Sequence, residues 1–416
     1  MFFLTRKNLL GAAILLVGFG AYVNIQYNTY LFQVRGLSPH QIGLLSALGA
    51  IPSLFTPLLA GWLVDRSPDP RRILIALTAL GAVALWALPR LPGHFLPLAC
   101  GFFLMECVIL PISPLTTSIL VEKGDSRCQS NFLALRAMGT LGFFLVSLFL
   151  SVWSTRERLP QVYLLMALVL LANLPFLFLL SPPKRSEHHE APSLRDSLAL
   201  LWRPGLLPIY LIGALASLAS NLGQNMLGNL ITSPVIGGQA RDISRAWSIS
   251  TFLEMAFMFA GIFFLRRFGL KRMVLLGIFA TALRWLWVSQ ATSLWEVYAS
   301  QTLHGILVVG LMTGESLCLA RLLPPGLQAS GLAVAAILNG GVAGILGSSL
   351  AGWIWQAWSL QAVYLCAGLV LVLAGALFWW KIPDLEFQEE IPAPLETGAD
   401  ARRKSRIAAS EGIPKS

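Results

Sequence analysis

Apolar stretches long enough to cross a bilayer recur from one end of this chain to the other, and they decide its fold class. A helix needs roughly 20 mostly apolar residues to span the hydrocarbon layer. On that rule spans are expected near 9–33, 40–64, 72–89, 94–121, 131–153 and 161–181, then near 205–231, 246–265, 272–290, 294–321, 327–356 and 359–381. Only 12% of the 416 residues are charged and 56% are hydrophobic, against about 25% charged in soluble domains. A water-soluble globule of this length has no means of hiding so much apolar surface. The expected fold is an all-α membrane protein of twelve transmembrane helices in two six-helix, pseudo-symmetric halves. Residues 1–181 form the first half, 182–204 a central loop, 205–381 the second half and 382–416 a polar, disordered tail. The first run is too long for a secretory signal and reads as a true span.

Loop charge predicts orientation. With the N-terminus inside, 22 of the 30 Lys and Arg residues fall on the inner side and 6 outside, with Arg136 and Arg284 inside spans. Both termini are therefore expected in the cytoplasm, in a bacterial inner membrane. The same bias accounts for the net charge of +10 without a nucleic-acid partner. Cys100, Cys107, Cys128, Cys318 and Cys366 have no metal-ligand spacing and no disulfide pattern. His188 and His189 lie in a charged loop that reads as solvated. There is no Walker A loop and no haem-attachment motif, so neither an enzyme nor an ATP-driven pump is expected, and no cofactor.

The halves echo each other. Helix one carries Asn24-Ile-Gln-Tyr-Asn28 and helix seven carries Asn221-Leu-Gly-Gln-Asn225, in each case two asparagines one turn apart with a glutamine between. The loop from Gly61, GWLVDRSPDPRRIL, corresponds to GIFFLRRFGLKRMVL from Gly261. Repeats of this kind enclose a substrate path between them. In the central loop Leu194, Leu198, Leu201 and Trp202 have the spacing of a short helix lying on the membrane surface.

The loop GWLVDRSPDPRRIL resembles the major facilitator superfamily, whose second and third helices are joined by Gly-x-Leu-x-Asp-Arg-x-Gly-Arg-Arg. Gly61, Leu63, Asp65, Arg66, Arg71 and Arg72 fit; Pro68 replaces the turn glycine and one residue is inserted. The resemblance implies that Gly61, Asp65, Arg66, Arg71 and Arg72 form a gating motif, a carboxylate held by arginines that latches the cytoplasmic side. RRFGLKRMVLLGIFATALRWLWVSQATSLWEVYASQTLHG, QSNFLALRAMGTLGF and GGVAGILGSSLAGWIW are similar to the branch containing lactose permease, nucleoside–proton symporters and phenylpropionate permease. Arg284 and His304 match that branch in spacing. The departures are Leu307, where lactose permease has an acid, Gln301, where it has a lysine, and Ser118, beside Thr116 and Thr117, where its sugar-binding acid falls. Its galactoside chemistry is not carried over.

Charges within spans are costly, about 2.5–3.5 kcal/mol each on insertion scales, and Glu106, Arg136, Glu254, Arg284 and His304 lie there, with Glu315 nearer one end of helix ten. Glu254 is the first candidate for the proton-carrying group, with Arg284 and His304 on the next two helices. An apolar surround favours its neutral form and a neighbouring cation its charged form. Glu106 is the second candidate, or else a packing clamp. Arg136 offers a bidentate grip on a substrate carboxylate or phosphate, or pairs with Glu122 or Asp125. Asn24, Gln26, Asn28, Asn221, Gln224 and Asn225 supply neutral donors and acceptors to a substrate. Trp285, Trp287, Tyr27 and Tyr30 offer stacking surface, or serve in packing. Gly340, Gly344, Gly347 and Ala351 allow close helix contact in helix eleven.

The expected function is secondary active transport of a small polar solute (organic carboxylate, nucleoside or sugar) by alternating access as a proton symporter. The expected partners are that solute, protons and the lipid bilayer, and the expected state is a monomer. The alternatives are a proton-driven efflux antiporter and a non-transporting scaffold or sensor on a transporter fold.

Overall fold

The computed structural model describes residues 6–56, 69–120, 127–180, 200–202, 206–323 and 327–382, with Leu59 and Ser67. Among them the chain is helical throughout, in twelve successive stretches: 6–34, 39–54, 70–90, 95–120, 127–153, 159–179, 207–231, 240–268, 270–290, 294–322, 328–357 and 360–381. These are helices one to twelve. Eight of the described helices are long and apolar enough to cross a membrane, and Leu80, Leu104, Phe178 and Leu369 point outward from them. With no water in the hydrocarbon to receive N–H and C=O groups, helix is the solution left to an unpaired span.

Caps set the helix starts. Ser38 and Gln41 form a reciprocal capping box at helix two, with Pro39 at its first position, and Ser293 and Glu296 form one at helix ten. Asp69 caps helix three and Ser359 caps helix twelve. Gly269, at φ +76, makes the tight turn between helices eight and nine. The surface helix expected from Leu194 to Trp202 is a short 3-10 turn at Leu200–Trp202 among the described residues; Leu194 and Leu198 lie outside them.

Helix one packs on helix five, helix nine on helix twelve and helix seven on helices eleven and twelve. The halves meet along two seams, helix five on helix eight and helix two on helix eleven. Exchanging the halves turns one seam into the other, as a two-fold repeat requires. The second seam is close. A Cβ on Gly43 would lie 2.6 Å from Gly352 Cα and 2.7 Å from the Ser348 carbonyl. In helix eleven, Gly347 faces the Leu218 carbonyl of helix seven, while Gly340 and Gly344 face Ser53 and Ala50 of helix two.

Several helices are not regular. Helix one tightens to a 3-10 turn at Ala21–Gln26 and restarts at Asn28, and helix seven breaks at Met226, close to the equivalent place. Helix ten passes from 3-10 (Gln301–Leu303) through α to a π turn (Val308–Thr313), and helix eleven has a π turn at Ile337–Val342.

Candidate functional site

Four helices of the second half bring their polar side chains to one point. Arg284 of helix nine is completely buried. Its Nη1 donates to Gln224 Oε1 of helix seven at 3.2 Å and meets His304 Nδ1 of helix ten at 2.9 Å, and its Nη2 donates to Gln301 Oε1. Gln301 Oε1 also accepts from Ser250 of helix eight at 3.0 Å. The 3-10 turn of helix ten explains how one helix supplies two ligands, because residues three apart eclipse in that geometry and Gln301 and His304 are three apart. Gly305 lets helix ten approach helix eight: a Cβ there would lie 2.7 Å from the Leu253 carbonyl, next to Glu254.

The guanidinium fixes the state of the histidine. A guanidinium has no acceptor, so Nδ1 must accept from Arg284, and the neutral ring carries its proton on Nε2. Nε2 lies 3.9 Å from Glu254 Oε2, within ion-pair range and longer than a hydrogen bond. His304 thus presents its Nε2–H toward the Glu254 carboxylate. Beneath Arg284, the Trp285 ring lies 4.2 Å from the guanidinium carbon, packs 5.4 Å from Tyr364, and covers Gly223, where a Cβ would come within 2.6 Å. Trp285 is therefore committed to packing, and Trp287 is exposed.

A second polar cluster ties the halves together. Tyr27, fully buried, shares its hydroxyl with Ser154, the residue after helix five, at 2.9 Å and Ser244 of helix eight at 2.6 Å. Ser244 donates to Gln26 Oε1 at 2.9 Å, and Gln26 Nε2 donates to Ser147 at 2.6 Å. Thr29 donates to the Asn225 carbonyl at 2.7 Å, and Asn229 Nδ2 donates to the Thr29 carbonyl at 3.1 Å and to Gln33 Oε1 at 2.8 Å. Arg245 Nε donates to the Ser151 carbonyl at 3.1 Å, and Asp242 receives Arg245 at 2.8 Å and Tyr298 at 2.9 Å. Among the described residues, the hydrogen bonds between halves lie at this end of the bundle, the end opposite the chain termini, here called distal. The distal end is closed.

The other candidates are dispersed. Gln224 joins Arg284, but Gln26 lies in the distal seam and Asn28 accepts from Tyr163 at 2.8 Å. Asn24 is buried, its amide turned onto the Ala21 and Tyr22 carbonyls, each 3.3 Å away. Asn221 donates to the Ser217 carbonyl of its own helix at 2.8 Å and Asn225 to Ser348 at 2.9 Å. Glu106 sits in the other half, one turn from Ile109, whose carbonyl receives Tyr22 at 3.1 Å. Arg136 lies on helix five; its side chain is outside the described residues, as are Gly61, Asp65 and Arg66. Of the gating motif, Arg71 grips Asp69 through two bonds of 2.8 Å and donates to the Leu180 carbonyl, and Arg72 lies 3.6 Å from Asp69. The carboxylate that these two arginines hold among the described residues is Asp69, a helix cap; Asp65 lies outside those residues.

The residues that sequence reasoning passed over are Gln301, Ser250 and the hydroxyls of the seam. A signal for the last was present. Ser147, Ser151 and Ser154 follow i, i+4, i+7 along helix five to the residue after it, as do Ser244, Ser248 and Thr251 on helix eight.

Comparison with known proteins agrees with the fold. The model of the family described as "MFS_1 like family" matches residues 13–366. Maltose permease of Geobacillus stearothermophilus is 25% identical over 342 residues, 81% of this chain and 84% of the relative. The putative nucleoside transporter YegT of Escherichia coli (strain K12) is 25% identical over 262 residues, 60% of each. A crystal structure of a mutant of the nucleoside transporter NupG superposes with a TM-score of 0.81 at 16% identity, over 91% of this chain and 100% of that one. At that identity the likeness is one of fold.

Proposed function

The chain belongs to the MFS_1 like family and is an integral membrane transporter of small solutes rather than an enzyme; on that premise we propose that it moves a neutral hydroxyl-bearing solute, a nucleoside or sugar, in symport with a proton by alternating access. The observation that carries the proton is the chain Arg284–His304–Glu254, buried at its first two members and half-buried at Glu254. A carboxylate at the end of a neutral imidazole, within helices that must change exposure during transport, takes a proton when the site opens to one side and releases it when the site opens to the other. Arg284 keeps the chain in register and holds His304 neutral.

The solute class rests on the similar proteins named above, which include a maltose permease and a putative nucleoside transporter. The excess of Lys and Arg on one side supports cytoplasmic termini, which makes the closed distal end the outer one.

Proteoliposomes loaded with a pH-sensitive dye and challenged with nucleosides, maltose and aromatic carboxylates test this. Wild type is expected to move protons with a nucleoside or a sugar, and Glu254→Gln to lose that movement. Proton movement with the carboxylates alone would refute the solute class. Unaltered coupling in the variant would refute the role of Glu254.

A further inference from the structure

The second half holds another buried carboxylate that the Arg284 chain does not use. Glu315, 6% exposed, lies on helix ten directly after the π turn Val308–Thr313. Across from it stands Asn339, inside the π turn Ile337–Val342 of helix eleven, and Asn339 Nδ2 donates to Glu315 Oε1 at 3.0 Å. Two π turns thus meet at one side-chain pair, and such turns are found mostly at functional positions. A small cavity adjoins Glu315, lined by Ile209 and Gly213 of helix seven, Val274 and Ile278 of helix nine, and Phe378 of helix twelve. A Cβ on Gly213 would displace the carboxylate from its present place.

The pair has one unanswered bond. Asn339 Oδ1 is buried and receives no hydrogen bond among the described residues. A primary amide and a carboxylic acid satisfy each other with two parallel bonds, N–H to the carbonyl oxygen and O–H back to the amide oxygen. The first of these is present. The second needs a proton on Glu315 Oε2. The titratable groups facing Glu315 are Tyr210 of helix seven, whose hydroxyl donates to the Gly331 carbonyl at 3.1 Å, and Cys318 one turn along helix ten. Neither is a cation. Helices nine and twelve offer Val274, Ile278 and Phe378, so nothing on those walls solvates a charge.

The geometry points to Glu315 as a second proton site, held as the neutral acid by a two-bond pairing with Asn339 and separate from the Glu254 site. Uptake adds one proton from water to the carboxylate and closes the Oε2–H to Oδ1 bond between helices ten and eleven. Release returns the proton and leaves one bond and a bare charge in an apolar wall, a state that favours parting the two π turns. The carboxyl thus makes the contact between these helices proton-dependent. Its part in coupling rests on the transport reading above; its protonation does not.

Infrared difference spectroscopy of the purified protein in lipid, taken between neutral and strongly alkaline pH, tests this with protons and no solute. In a Glu106→Gln background, which removes the other buried acid, the protein with or without Glu254→Gln is expected to show the carbonyl stretch of a buried protonated carboxylic acid at neutral pH. Glu315→Gln keeps the pairing as an amide–amide contact and is expected to fold and to lose that band. Asn339→Leu is expected to keep the band and shift it to the position of an acid without a hydrogen-bonded partner. A band that survives Glu315→Gln, or one whose position Asn339→Leu leaves unchanged, would overturn the assignment. Failure of the symport reading shows elsewhere, as wild-type proteoliposomes that move no protons with any solute.

Discussion

Replacing Tyr27 by Phe removes one oxygen and leaves the ring in place. That oxygen makes one bond within the first half, to Ser154, and one between halves, to Ser244. Ser244 keeps its bond to Gln26, and Ser154, freed from Tyr27, can turn its hydroxyl to the Leu150 carbonyl, so neither hydroxyl is stranded. The loss to the distally closed state is therefore the net value of a single neutral bond, about 0.5–1.5 kcal/mol, or roughly a 2- to 10-fold rise in the open-to-closed ratio. Gln26→Leu goes further, because it takes the bond between halves and leaves the buried Ser244 hydroxyl without its acceptor, at about 1–3 kcal/mol. Spin labels at positions 157 and 239, in a background without native cysteines, report the separation of the distal ends in lipid. Tyr27→Phe is expected to enlarge the long-distance population modestly and Gln26→Leu strongly. If Gln26→Leu leaves the distribution unchanged, the seam does not hold the distal end shut and the reasoning fails.

Gly43→Ala puts a Cβ against the backbone of Gly352 and Ser348, an overpacking that costs about 1–3 kcal/mol; the same spin labels are expected to report a more open distal end. Arg284→Lys exchanges a fork reaching Gln224, His304 and Gln301 for a point charge, and is expected to destabilise by about 3 kcal/mol, read as a fall in Tm by intrinsic fluorescence. Arg71 beside Asp69 holds that loop carboxyl below its usual range. The bond therefore stabilises the fold above the unfolded carboxylate's titration, and that contribution is lost as pH falls through the lower folded value. Asp69→Asn is expected to lower Tm at neutral pH by the equivalent of about 1 kcal/mol and to flatten the decline of Tm below about pH 4.

The fold was legible because the bilayer leaves a chain little choice: apolar runs of the right length had to become helices. Arg284, His304 and Glu254 were legible for a related reason, since charges in spans are rare enough that three on consecutive helices point to one another. The amides were harder. Gln26 and Asn225 stand where the halves meet, but in a distally closed molecule that meeting place is a packed seam. The hydroxyl network was least legible, because a serine or threonine in a helix usually turns back to its own backbone. Ser248 bonds the Ser244 carbonyl and Thr251 the Trp247 carbonyl in that way, so a serine stripe alone does not reveal which members cross to a neighbour. Nor did the sequence announce the 3-10 turn that aligns Gln301 with His304, since backbone tightening leaves no compositional mark.

Helix eight connects the two clusters and implies how they communicate. Ser244 and Glu254 are ten residues apart, about 15 Å along the helix, and Trp247 lies between them. Its ring is 5.8 Å from Phe143 of helix five and 6.4 Å from the His304 ring, so it stands where the distal seam ends and the buried charge begins. Parting the distal ends must draw helix five from helix eight, breaking the Tyr27 bond to Ser244 and removing Phe143 from one face of Trp247. The motion that undoes the latch therefore also uncovers the side of His304 and Glu254 that the seam protects. Trp247→Ala leaves the hydrogen bonds of both clusters in place but removes the plug between them. In proteoliposomes under a pH gradient and without solute, this variant is expected to leak protons several-fold faster than wild type, while Trp247→Phe retains most of the seal. A Trp247→Ala protein that folds, transports and stays proton-tight would mean that water is excluded from Glu254 elsewhere, and that the two clusters are coupled only through the rigid body of helix eight.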